Sequence, residues 1–135
     1  MSWLDRLEHP TIMLNASDRT QHERIQRLRR QYVQATTHTA SLTRQLQRTL
    51  AHCHRLESLA RHAVAAGSDD QARRWLQVLH DTRHTLAELA TEHTRAEAQA
   101  TALRSQLDAA TRSLGLFHAQ RAAIEAAWLY ARQLF

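Results

Sequence analysis

From Ile25 to Ala63 the chain returns to one side of a helix at alternating steps of three and four: Ile25, Leu28, Tyr32, Ala35, Thr39, Leu42, Leu46, Thr49, Cys53, Leu56, Ala60 and Ala63. Two threonines are the only polar interruptions. A mean step of about 3.5 residues, held for roughly five to six heptads, marks a coiled-coil seam, not the wider apolar face of a globular helix. The composition agrees. With two Gly and one Pro in 135 residues there is little to build turns from, and with 5% aromatics a thick core is excluded. The fold expected is all-α, with very few and very long elements.

A second run follows from Ala72 through Trp75, Leu79, Leu86, Leu89, His93, Ala96, Leu103, Leu107 and Ala110 to Leu114, Phe117, Ile124, Trp128 and Phe135. Between the runs stand Gly67, Ser68, Asp69 and Asp70. Gly67 suits the left-handed conformation that ends a helix, Ser68 with Gln71 can cap the next one, and the acidic pair sits where the helix dipole favours negative charge. So short a break turns the chain back on itself. If it reverses at Gly67-Ser68, facing seam positions should have numbers adding to about 135, and Leu56 with Leu79, Leu28 with Leu107 and Ile25 with Ala110 obey this.

The expected architecture is a long antiparallel two-helix coiled-coil hairpin over residues 17–135, preceded by a short apolar segment, 1–16. Helix 1 is expected at about 18–66, the turn at 67–69 and helix 2 at about 70–133. Ser17 or Thr20 serves as the first cap, with Glu23 completing a capping box from Thr20. At about 1.5 Å per residue the arms span roughly 70 and 100 Å, which leaves helix 2 without a facing partner beyond residue 114. Leu114, Phe117, Ile124, Trp128 and Phe135 would then be exposed together, and an apolar stretch of that extent should be covered. The first fifteen residues reach across it only if nearly extended, so contact with another subunit is the preferred cover.

The net charge of +5 is uneven. Residues 18–66 hold nine Arg against Asp18, Glu23 and Glu57, and Arg19, Arg24, Arg27, Arg29 and Arg30 form the densest basic patch. A solvated face or a subunit contact is the first reading of that patch, an anionic membrane surface the second. Nucleic acid is disfavoured, because neither stacking aromatics nor a compact reading motif accompanies the arginines.

Ten histidines raise the question of metal. His80 and His84 are spaced to share a helical face, with His52 and His54 across from them, but the heptad turns His80 and His84 outward and no carboxylate or thiolate pattern joins them. No metal site, cofactor or small-molecule substrate is expected. His93, on the seam opposite Leu42, reads as a satisfied core histidine. A two-helix hairpin offers no concave pocket to tune a catalytic group, so no enzyme is expected. Cys53, the single cysteine, reads as a buried seam residue. No apolar run approaches a membrane span and no signal-type start is seen, which makes a cytoplasmic location the expectation.

The stretch Leu59–Leu76, with its Ala-rich helix end, Gly67, the acidic pair and the Ala-Arg-Arg-Trp-Leu restart, resembles the hairpin turn of the phage shock protein A family, bacterial relatives of ESCRT-III membrane-remodelling proteins. The opening Met-Ser-Trp-Leu-Asp-Arg-Leu resembles the start of that family's amphipathic membrane-binding helix. The resemblance implies that Trp3, Leu4 and Leu7 insert into lipid, although Pro10 limits such a helix to about two turns. It also implies a short member without the family's C-terminal helices, which self-assembles or binds a longer family member at the inner face of the cell membrane under membrane stress. A flagellar or type III secretion stalk-type coiled coil and an arginine-rich nucleic-acid binder are the alternatives.

Overall fold

The computed structural model describes residues 10–134. They form two helices, α1 (Pro10–Ala65) and α2 (Asp69–Leu134), joined as a helical hairpin with no strand among the described residues. At the turn Gly67 adopts φ 75°, the left-handed conformation that a Cβ would disfavour. The Ser68 N–H donates to Ala63 O at 2.9 Å and the Gly67 N–H to Val64 O at 3.1 Å, the two bonds of a Schellman motif. Ser68 O in turn accepts from the Ala72 N–H at 3.0 Å, which starts α2. Asp69 and Asp70 occupy the first turn of α2, as the dipole favours.

Contacts group the hairpin into two compact units. One is Val33–Thr101, the half that contains the turn. Its core joins Cys53, Leu56 and Leu79, with Trp75 and Leu86 packed against them. Leu56 faces Leu79 as the register requires, and it is only 2% exposed. The seam threonines are tolerated because their hydroxyls bond back into the helix: Thr39 Oγ1 donates to Ala35 O and Thr82 Oγ1 to Val78 O. His93 is half-buried, with Nε2 2.9 Å from Thr43 Oγ1 and 3.3 Å from Glu97. Because Thr43 gives its own proton to Thr39 O, the His93 ring nitrogen is the donor across the hairpin.

The other unit is built from the terminal stretches, up to Tyr32 and from Ala102 onward. Ile25, Leu28 and Ala110 form its core, with Leu103, Leu107 and Leu114 against them. Here the structure corrects the sequence reading. α1 is already helical at Pro10, the first described residue, and not only from near residue 18, so residues 10–16 belong to the hairpin. Thr20 is interior, its hydroxyl donating to Ala16 O at 3.0 Å, and is no cap.

The part of the expected overhang around His118 and Arg121 is therefore faced by the first described turns of α1: Asn15 meets Arg121 and Asp18 meets His118. The half-buried positions run on from Ile25 through Gln21, Asp18, Ser17, Leu14 and Thr11. Most of these are polar, which hides this stretch of seam from a count of apolar residues.

Candidate functional site

In the unit of the chain termini, Arg19, Arg24, Arg27, Arg29 and Arg30 are all exposed. So are Ile12, Met13, Leu116, Ile124, Leu129, Tyr130 and Leu134, from 46% at Ile124 to 70% at Met13. Ile124, expected in the seam, is exposed, and Glu125 beside it is half-buried and accepts from Arg121 at 3.2 Å one turn away. Leu114, Phe117 and Trp128 are half-buried, and Leu114 packs within the chain on the Ile25 core. Trp3, Leu4, Leu7 and Phe135 lie outside the described residues.

Near the turn, Ala60, Val64, Ala65, Leu76 and Leu79 line a shallow hollow of about 590 Å³ with Glu57, Arg61 and Arg83 at its side. Arg83 donates to Glu57 Oε1 at 2.7 Å across the hairpin. That hydrogen bond, chiefly, holds the Glu57 carboxyl below its ordinary range, with the charges of Arg83, His54 and Arg61 adding to it and partial burial opposing. An ionised carboxylate locked to a guanidinium is a brace and a poor proton acceptor. His52, His54, His80 and His84 are all exposed, with His54 beside Glu57 and His84 beside Glu88.

The tightest polar cluster was not anticipated. Asp18 Oδ1 lies 2.8 Å from His118 Nε2 and 3.1 Å from His22 Nδ1, and Asp18 Oδ2 lies 3.7 Å from Arg121. His22 Nδ1 also reaches the Asp18 carbonyl at 2.9 Å, and the two imidazoles stand 5.8 Å apart, tilted by 32°. The His118 hydrogen bond is the main cause of an Asp18 carboxyl held below its ordinary range. Burial opposes it, and the charges of His22, His118 and Arg121 assist. Asp18 and His22 are four apart on α1, a visible signal, but His118 joins them only once α1 is known to extend past residue 18.

The sequence profile of the PspA/IM30 family matches residues 1–132. No curated protein and no solved structure matches the chain. The profile spans nearly the whole sequence, on a helical hairpin whose turn carries the glycine and acidic pair from which the resemblance was read. The chain belongs to the PspA/IM30 family.

Proposed function

We propose that the protein is a non-enzymatic coiled-coil interaction protein that associates with copies of itself or with a longer family member, and that it acts at the cytoplasmic face of the membrane during membrane stress. The observation that carries this reading is the exposure, among the described residues, of the apolar side chains Ile12, Met13, Leu116, Ile124, Leu129, Tyr130 and Leu134 of the terminal unit. Leu114, Phe117 and Trp128 keep part of their surface beside it. Family membership supports the same direction. No helix of the described residues is long and apolar enough to cross a membrane, so lipid contact in this reading is peripheral.

Trp3, Leu4 and Leu7 are the proposed inserting residues, and the exposed arginines from Arg19 to Arg30 supply attraction to anionic headgroups. Multi-angle light scattering over a wide concentration range tests the assembly, with Leu116→Glu and Leu129→Glu as variants that should shift it towards monomer. A monomer at every concentration removes the self-association reading. Flotation with anionic vesicles tests the lipid contact, and Trp3→Ala with Leu4→Ala should abolish it. A pull-down that retrieves export-apparatus components would instead favour the secretion-stalk reading, and retention on DNA that falls steeply with salt the nucleic-acid reading.

A further inference from the structure

We propose that Asp18, His22 and His118 form a binding site for a transition-metal dication of the zinc class, braced between α1 and α2. The three side chains offer one carboxylate oxygen and two imidazole nitrogens, all within 4.8 Å of one another. Two imidazoles with a single carboxylate suit Zn²⁺, Ni²⁺ or Cu²⁺ and not Mg²⁺ or Ca²⁺, which take mostly oxygen ligands. Metal–ligand bonds of about 2.0–2.1 Å at a tetrahedral angle put neighbouring ligand atoms about 3.3 Å apart. The separations of 2.8 and 3.1 Å from Asp18 Oδ1 are near that value, and the ligand nitrogens of His22 and His118 lie within 4.8 Å of each other.

Among the groups directly bonded to the cluster, with neutral imidazoles, Asp18 and Glu125 carry two negative charges against the one positive charge of Arg121, although Arg19 and the rest of the basic patch follow on α1. Arg121 approaches Asp18 on Oδ2, leaving Oδ1 to the metal, and its bonds to Asn15 and Glu125 fix it there. Partners of this kind orient a ligand and strengthen a site. Without metal, His22 Nδ1 and His118 Nε2 direct their protons at Asp18. Binding replaces both contacts as each neutral ring moves its proton to its other nitrogen through solvent, with no net proton lost. All three ligands reach solvent, so water completes the coordination.

The test uses the full chain, free of an affinity tag and stripped with chelator, titrated calorimetrically with Zn²⁺ and, separately, Mg²⁺. One Zn²⁺ per chain at unchanged molecular mass is expected, with a rise in melting temperature and no binding of Mg²⁺. His118→Ala and His22→Ala should each weaken Zn²⁺ by at least about tenfold, while His80→Ala with His84→Ala should leave it unchanged. The rings are exposed, and circular dichroism of each variant checks that the helices remain. Unchanged affinity in His118→Ala or His22→Ala, loss in the His80/His84 variant, no saturable binding, or half an equivalent of Zn²⁺ with a doubled mass would each overturn the site.

Discussion

The two glycines allow the same chemical change to be made in two backbone states, and it should act with opposite sign. A Cβ built on Gly67 or on Gly115 meets nothing within 4 Å, so packing contributes to neither substitution. Gly67 holds φ 75°, where an L side chain costs about 1–2 kcal/mol. The lower entropy of the unfolded alanine chain offsets about 0.4–1 kcal/mol of that, leaving Gly67→Ala destabilised by about 1 kcal/mol. Gly115 lies inside α2, where Ala is preferred by about 1 kcal/mol, so Gly115→Ala should stabilise by that amount. The variants should therefore differ by about 2 kcal/mol, with melting temperatures displaced by about 3–5 °C on either side of the parent. Urea and thermal unfolding followed by circular dichroism, at one fixed protein concentration so that association does not enter, measure this. Shifts of the same sign, or Gly67→Ala at or above the parent, would refute the assignment of the turn to a left-handed glycine.

Leu56→Ala should cost about 2–5 kcal/mol by urea unfolding, whereas Leu50→Ala, at a half-exposed position, should stay within about 0.5 kcal/mol; equal effects would contradict the core between Cys53, Leu56 and Leu79. Glu57 has its carboxyl depressed by the Arg83 bond, so its contribution is complete above the unfolded-state value and lost as pH falls through the lower folded value. The stability gap between parent and Glu57→Gln should accordingly be level near neutrality, shrink in the acid range and close below the folded value; a gap that widens with acid would reverse the sign. It should be small and salt-sensitive, since both partners reach solvent. Arg121→Ala removes bonds to Asn15, Asp18 and Glu125, and amide exchange should quicken severalfold in the first turns of α1 with little change around Gly67.

Much of the turn half was legible in advance because its signals are local and its seam is apolar. Gly67 needed only its chemistry and position to be placed, and the facing of Leu56 with Leu79 followed from reversal there. The start of α1 was not legible. Pro10 reads as a breaker, yet the chain is helical from it onward, and Thr20 and Glu23 copy a capping box inside a helix. Gln21, Asp18, Ser17 and Thr11 carry the seam without apolar side chains. Of the residues marked out from sequence, the arginines from Arg19 to Arg30 are exposed, and Ile124 is exposed while Glu125 is half-buried beside Arg121.

The sequence by itself determined the class, the turn, the register and the family, because each depends on short-range periodicity or on residues adjacent in the chain. Only the tertiary structure decided what faces α2 around His118 and Arg121. The groups that meet there, Asn15 with Arg121 and Asp18 with His118, are about a hundred residues apart, and pairing at that distance is set by where both helices begin and end. Helix from Pro10 onward gives the stretch around His118 and Arg121 a facing partner, with a His-Asp-His cluster on its flank.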